Sequence, residues 1–217
     1  MTKIGAVVLA AGMSSRMGKP KQLLPIKGKP LISYPISLAV RINLHPIVVI
    51  AGKYMKEIEK VIGDCKNVSY LYNPEYQSGM ASSLKLGIEA VGQQVDAALI
   101  FLGDQPFMPD GVVMALIEEF ERNRTNGVRI VRPRYDGEPG HPILFDATLF
   151  EQFQHIHGDE GGRNIIRKHQ ERLKLIDFSK SLWGVDIDTP EDYERVKRDE
   201  NNRCIEPAFT RCPNVGD

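Results

Sequence analysis

The sequence predicts an α/β protein with a mainly parallel sheet, because strand-like and helix-like patterns alternate along the chain. An apolar, β-branched run at 4–8 leads directly into a loop of small residues, as a buried first strand does. A second run, 97–102, is apolar on both faces, which is typical of a central parallel strand. A chain of 217 residues can bury a full core as one domain.

Each further element follows from its local pattern. The predicted strands, rich in apolar and β-branched residues, are 4–8, 46–52, 68–72, 97–102 and 128–132. The predicted helices, whose apolar residues recur at helical spacing, are 53–62, 81–91 and 111–122. Beyond Arg132 the pattern is less regular. Residues 1–199 are predicted to form one domain, and the polar residues 200–217 a loosely ordered extension.

Composition and charge exclude several classes of protein. The 28 lysines and arginines balance 28 acidic residues, so no overall field favours adhesion to nucleic acid or to a membrane surface. No stretch approaches membrane-spanning length, and no signal-peptide cleavage site follows the N-terminus. The three cysteines lack metal-ligand spacing, which favours reduced thiols. We therefore expect a cytoplasmic protein without nucleic-acid or membrane partners.

The loop after the first strand is the most informative feature of the sequence. Residues 9–21 read Leu-Ala-Ala-Gly-Met-Ser-Ser-Arg-Met-Gly-Lys-Pro-Lys, which combines small residues with three cations. Glycine allows close backbone approach to a polyanion, and exposed amides and cations neutralise phosphate charge. A P-loop is excluded because five residues, not four, separate Gly12 from Gly18, and the glycine spacing also excludes a dinucleotide fingerprint. The cations favour a nucleoside triphosphate site over a flexible surface loop.

A second motif, Gly-Asp-Gln-Pro at 103–106, directly follows the predicted central strand. Ligands of doubly wound sheets bind beyond the carboxyl ends of the strands. If the first strand is a neighbour, Asp104 faces the loop 9–21, and a single carboxylate suits Mg²⁺, which needs few protein oxygens. The alternative is a turn residue ahead of Pro106. The cation-rich loop 9–21 beside it favours the interpretation of Asp104 as a metal ligand.

A third motif, Val-Asp-Ile-Asp-Thr-Pro-Glu-Asp, occupies 185–192. In an extended segment Asp186 and Asp188 share one face, while Ile187 points to the core. Thr189 is predicted to be the N-cap of a helix whose first residue is a proline. A helix start explains the acids after Thr189 but not the two before it, so Asp188 is a candidate second metal ligand.

Together the three motifs resemble those of the nucleotidyltransferases that attach a nucleotide to molybdopterin, over roughly residues 4–199. The Ala-Ala-Gly at 10–12 and the Gly-Asp-Gln-Pro motif resemble the cytidylyltransferase branch and its purine-catabolism relatives, whereas the guanylyltransferase branch usually has Ala-Gly-Gly. The resemblance implies a Rossmann-like three-layer sandwich of the nucleotide-diphospho-sugar transferase type, with a mostly parallel sheet and one antiparallel strand.

The resemblance also implies roles for individual residues around the triphosphate. Asp104 and Asp188 would share Mg²⁺. Arg16, Lys21 and Asp104 would form the catalytic group, which acts by alignment and charge neutralisation. The residues expected to hold the triphosphate, by backbone or side chain, are Ala10, Ala11, Gly12, Arg16 and Lys21.

Two further segments border the nucleotide base and the acceptor. Asn73, Gly79 and Ser83 are implied at the base, although the stretch that follows Gly79 also fits a helix capped by Ser78 or Ser82. The segments 137–145 and 158–163 resemble stretches on the acceptor side. A proline turn is the simpler explanation for the first segment, and a helix cap for the second. The residues implied on that side are His141, Gly162 and Arg163.

The implied activity is transfer of CMP from CTP to the phosphate of molybdopterin or the molybdenum cofactor, with Mg²⁺, release of pyrophosphate and a molybdoenzyme of the xanthine dehydrogenase type as a partner. One alternative is a related enzyme that uses GTP on molybdopterin or activates a sugar or polyol phosphate. Another is a non-catalytic carrier of the cofactor, which would not need Lys21 or Asp104. A glycosyltransferase of similar fold would require Asp-x-Asp after the central strand, and 103–106 lacks it.

Overall fold

The computed structural model describes residues 2–14, 17–65, 67–179 and 181–198. The strands are β1 (Ile4–Ala10), β2 (Pro25–Ile26), β3 (Lys29–Pro30), β4 (Ile47–Ala51), β5 (Val68–Tyr72), β6 (Ala97–Leu102), β7 (Ile130–Tyr135), β8 (Glu138–Pro139), β9 (Ile143–Asp146) and β10 (Leu173–Phe178). The α-helices are α1 (Ser33–Arg41), α2 (Met55–Ile62), α3 (Met80–Gly92), α4 (Asp110–Asn123), α5 (Arg163–Lys168) and α6 (Pro190–Arg198). Short 3₁₀ helices cover Lys21–Leu23, Tyr76–Ser78, Arg124–Asn126, Ala147–His155, Gln170–Arg172 and Ser181–Gly184.

The main sheet has the strand order β10-β7-β9-β6-β1-β4-β5. β1 pairs in parallel with both β4 and β6, so its end lies beside the end of β6, where Leu9 is opposite Leu102. β9 is antiparallel to both of its neighbours, β6 and β7, which confirms the expected antiparallel strand. The two-residue β8 adds an antiparallel hairpin on β7. The loops that follow β1 and β6 therefore emerge side by side at one edge of the sheet.

Helices cover both faces of the sheet and complete the predicted three-layer sandwich. Successive residues of β1 face opposite layers: Val8 packs with α1, α2 and α4, whereas Val7 packs with α3, α5 and the helix 147–155. Gly87 lets α3 lie close to β1, because a Cβ atom there would be only 2.3 Å from Cγ1 of Val7. The central strands β1, β4 and β6 are buried on both sides, which explains their continuous apolar runs.

A smaller apolar cluster joins the β2–β3 hairpin to α6. It contains Leu24, Ile26, Ile187 and Tyr193. The Tyr193 hydroxyl donates a hydrogen bond to the Pro25 carbonyl at 2.6 Å. This cluster brings the segment that follows the first loop next to the segment that precedes α6, although the two are far apart in sequence.

Several predictions about the ends of the chain can be compared with the structure. Thr189 is confirmed as a helix-capping residue: its Oγ1 accepts a bond from Asp192 N at 3.1 Å, and Asp192 Oδ2 accepts from Thr189 N at 3.0 Å. The expectation of reduced thiols is wrong for Cys65, which is disulfide-bonded. The predicted extension 200–217 lies outside the described residues. Within the described ranges, no helix is both long and apolar enough to cross a membrane.

Candidate active site

A cleft of about 450 Å³ opens at the carboxyl edge of the sheet, between the ends of β1 and β6 and the start of α3. The loops predicted from the three motifs meet here, because they follow adjacent strands or pack through the small apolar cluster. The predicted site residues that line the cleft are Ala11, Gly12, Lys21, Gly79, Ser83, Asp104 and Asp188.

Lys21 lies between the two predicted metal ligands. Its ammonium donates to Asp104 Oδ2 at 2.5 Å and to Asp188 Oδ1 at 2.7 Å. The Lys21 and Asp104 side chains are only 15% and 12% exposed. Burial acts to lower the pKa of Lys21, but the Asp104 carboxylate, followed by Asp188, outweighs that effect and raises it. The lysine is therefore a fixed cation that two carboxylates share.

The segment 185–188 has the alternation predicted for it. Ile187 is fully buried, and its amide donates to the Asp104 carbonyl at 3.4 Å. Asp186 and Asp188, on either side, both line the cleft. Asp186 is exposed overall. Desolvation of its carboxyl group and the neighbouring Asp104 charge nevertheless raise the pKa of Asp186 to about 6. A 2.7 Å hydrogen bond from Gln105 acts in the opposite direction. Asp104, Asp186 and Asp188 therefore all line the cleft, and the ammonium of Lys21 contacts the first and the last of them.

The buried side chain of Gln22 holds the loop that follows β1 in place. Its Nε2 donates to the carbonyls of Ala10 at 3.1 Å and Gly12 at 3.0 Å. Ser14 Oγ donates to Gln22 Oε1 at 3.3 Å and accepts from the Lys21 amide at 3.0 Å. These bonds tie the loop to the backbone that carries Lys21. The sequence prediction missed Gln22, whose only signal was a polar residue directly before two leucines.

We expect Gln22→Ala to destabilise the fold by about 1–3 kcal/mol, since it leaves two loop carbonyls without their buried donor. Chemical denaturation measures this effect. Gln93→Ala is the matched control, because Gln93 is exposed at the end of α3 and should change stability little. An equally small effect of Gln22→Ala would show that the loop does not depend on this side chain.

Asn73 supports Ser83; both residues were predicted to border the nucleotide base. Asn73 is buried and does not line the cleft; its Nδ2 donates to Ser82 Oγ at 2.8 Å and to Ser83 Oγ at 2.9 Å. Its Oδ1 accepts from the Glu75 amide at 2.9 Å. Asn73 thus sets the position of the Ser83 hydroxyl at the cleft wall.

The start of α3 is capped by a distant loop rather than by Ser78 or Ser82. Asp159 Oδ1 accepts from the Met80 amide at 3.1 Å, and the Gly158 carbonyl accepts from the Ala81 amide at 2.9 Å. Gly79 has φ +108°, and a Cβ atom there would lie 2.4 Å from the Gly158 carbonyl carbon. Asp159, which also lines the cleft, was not predicted.

The remaining predicted residues lie elsewhere. Ala10 is buried at the end of β1, and Arg16 lies outside the described residues. His141, Gly162 and Arg163 do not line the cleft. Gly162 packs against Phe145 of β9, since a Cβ atom there would be 3.0 Å from the ring. Cleft-lining residues that the sequence did not indicate include Tyr76 and Gln77.

Comparison with known proteins identifies the family to which this chain belongs. Molybdenum cofactor cytidylyltransferase of Escherichia coli (strain K12) is 27% identical over 91% of this chain and 97% of its own length. Nicotine blue oxidoreductase of Paenarthrobacter nicotinovorans is 28% identical over 89% and 96%. The crystal structure of Rv0371c from Mycobacterium tuberculosis H37Rv is 25% identical over 91% of this chain and 98% of that one, with a TM-score of 0.77.

A second structure of Rv0371c, in complex with manganese, is 24% identical and covers 91% of this chain and 99% of that one, with a TM-score of 0.71. Residues 6–173 match the family described as the MobA-like NTP transferase domain. That range contains the loop that follows β1, the motif 103–106 with Asp104, and the segments 79–83 and 158–159 that meet at the start of α3. The chain belongs to the MobA-like family and is a nucleotidyltransferase of that family.

Proposed function

We propose that this enzyme transfers CMP from CTP to the phosphate of molybdopterin or the molybdenum cofactor and releases pyrophosphate. The observation that carries the proposal is the ammonium of Lys21 between Asp104 and Asp188, in a cleft bordered by the loop after β1. Such a cleft offers a cation for phosphate oxygens and carboxylates for a metal. The E. coli relative, named as a molybdenum cofactor cytidylyltransferase, supports both substrates.

The residues around Lys21 fit a divalent metal ion. The carboxylates of Asp104 and Asp188 lie 2.5 and 2.7 Å from one ammonium and can therefore share one cation. Two carboxylates suit Mg²⁺, which keeps water and phosphate oxygens as most of its ligands. Manganese in a structure of Rv0371c supports a divalent ion. When bound, Mg²⁺ supplies charge neutralisation at the reacting phosphates.

The reaction needs alignment more than proton transfer. A phosphate oxygen of the acceptor attacks the α-phosphorus of CTP; a new P–O bond forms there while the bond from the α-phosphorus to the bridging oxygen breaks, and pyrophosphate leaves with that oxygen. The acceptor phosphate is already anionic near neutral pH, so no general base is required. The Lys21 ammonium would neutralise charge that grows on the leaving pyrophosphate, and the loop held by Gln22 would fix the triphosphate in line.

Nucleotide preference tests the CTP assignment, which rests on the Ala-Ala-Gly at 10–12. We expect CTP with Mg²⁺ to raise the melting temperature more than GTP, ATP or UTP at equal concentration, because selective binding stabilises the folded state by mass action. Thermal-shift titration with each nucleotide makes the comparison. Equal or greater stabilisation by GTP would contradict the assignment to CTP and favour the guanylyl alternative.

A further inference from the structure

A buried side chain, that of Gln105, ties the segment 184–188 to the end of β6. Gln105 is only 5% exposed and does not line the cleft. Its Nε2 donates to Asp186 Oδ1 at 2.7 Å and to the Gly184 carbonyl at 3.2 Å. Both partners are acceptors, so both N–H groups of the side-chain amide are used. The Gln105 amide therefore serves to hold this segment.

The residue at the start of this segment, Gly184, is also packed against Tyr135 of β7. A Cβ atom at Gly184 would lie 2.4 Å from Cδ2 of the Tyr135 ring, which is buried. The Tyr135 hydroxyl donates to the His141 carbonyl at 2.8 Å and so holds the ring in place. The carbonyl that Gln105 contacts therefore belongs to a residue that close packing already fixes.

The carboxyl groups of the cleft need such a tie, because Asp104, Asp186 and Asp188 repel one another when charged. In the structure the Lys21 ammonium bridges the first and the last of them. A divalent cation on the same oxygens takes the place of this bridge, so the lysine then no longer holds the two segments together. The hydrogen bonds of Gln105 use neither Asp104 nor Asp188 and can persist with a metal bound.

We infer that Gln105 is a positioning residue, which holds Asp188 at the distance from Asp104 that one metal ion requires. It acts through Asp186 and the backbone that follows, since only the buried Ile187 separates Asp186 from Asp188. Replacement of groups that orient metal ligands commonly weakens metal binding about ten- to a hundredfold. The inference rests on the metal role of Asp104 and Asp188 in the proposed function, but not on CTP or molybdopterin.

Mn²⁺ is the probe, and electron paramagnetic resonance follows its binding to the full chain without nucleotide. Gln105→Met keeps much of the side-chain volume but removes the donor, so it should weaken Mn²⁺ binding about tenfold or more. Circular dichroism checks that the variant is folded. Gln152→Met is the matched control: Gln152 contacts the His169 ring and does not line the cleft, so its replacement should change the dissociation constant by less than about twofold.

A reversed pair tests the contact between Gln105 and Asp186, and it serves equally if Gln105→Met does not fold. Gln105→Glu removes the donor and adds a charge, so it should weaken Mn²⁺ binding more than Gln105→Met does. Addition of Asp186→Asn again places one amide opposite one carboxylate, with side chains of the original lengths, and should tighten binding at least about threefold relative to Gln105→Glu alone. Equal affinities of these two variants would overturn the contact as the cause.

The Mg²⁺ dependence of turnover separates positioning from a general loss of structure. Gln105→Met should raise the Mg²⁺ concentration for half-maximal rate about tenfold, yet keep kcat at saturating Mg²⁺ within about threefold. Unchanged Mn²⁺ binding in Gln105→Met, or no Mn²⁺ binding in the wild type, would overturn the inference. Mn²⁺ binding that depends on Gln105, without any transfer from CTP, would instead contradict the proposed function and leave the inference standing.

Discussion

Asp104→Asn is expected to lower kcat/KM for nucleotidyl transfer about a thousandfold, on the order of 4 kcal/mol, while leaving the protein folded. Asparagine has nearly the volume of aspartate but no charge, so the variant removes a metal ligand and one partner of Lys21 together. The Asp104 side chain is only 12% exposed, which limits compensation by water. Steady-state kinetics at saturating Mg²⁺ measure the loss, and circular dichroism checks the fold.

Asp177→Asn is the matched control for this substitution. Asp177 is exposed and pairs with Arg134 at 2.5 Å, on β10 at the end of the sheet opposite β5, so its variant should keep wild-type activity. Asp188→Asn should cost less than Asp104→Asn, because the Asp188 side chain is 37% exposed and solvent can supply a replacement ligand. Near wild-type turnover by Asp104→Asn would contradict a metal role for this cleft.

Lys21→Ala should lower kcat as well as raise KM, with a total loss on the order of 2–4 kcal/mol, as for removal of one preorganised charge-stabilising group. Lys19→Ala should act mainly on KM and weakly, since Lys19 does not line the cleft and its ammonium lies 6.0 Å from the Tyr193 ring centre instead. Steady-state kinetics of both variants give the comparison. A larger loss of kcat in Lys19→Ala would show that the wrong lysine is assigned.

Metal binding without nucleotide separates the catalytic role of Lys21 from a structural one. Because its ammonium pairs with both Asp104 and Asp188, it competes with a divalent cation for their oxygens. Lys21→Ala should therefore bind Mn²⁺, followed by electron paramagnetic resonance, more tightly than the wild type while it turns over more slowly. Weaker Mn²⁺ binding in the variant would contradict competition for a shared site.

Much of the fold could be predicted because the hydrophobic pattern of most elements agrees with their burial in the structure. The run 97–102 is apolar at every position, and it forms the strand next to β1 in the centre of the sheet. α1 was missed because its first residues, from Ser33 to Ser37, are all buried, polar ones included, so they show no amphipathic period. β10 was missed because it is a half-exposed edge strand with a weak apolar signal.

The site residues likewise include some that the sequence could indicate and some that it could not. Lys21, Asp104 and Asp188 could be identified because each belongs to a short motif at the end of a strand or the start of a helix. The roles of Gln22 and Asp159 could not, because they depend on contacts set by the tertiary structure: the Asp159 carboxylate reaches the amide of Met80, 79 positions earlier in the chain. A propensity for a turn or a cap does not identify a partner so distant in sequence.

Transfer of the α-phosphate itself tests the central claim most directly. The enzyme is incubated with Mg²⁺, molybdopterin and CTP labelled with ³²P at the α-phosphate, and the label and pyrophosphate are both quantified. The account predicts that label appears on the pterin in a one-to-one ratio with released pyrophosphate, and that it disappears with Asp104→Asn. Label that stays in CTP, or that transfers from GTP in preference to CTP, would contradict it.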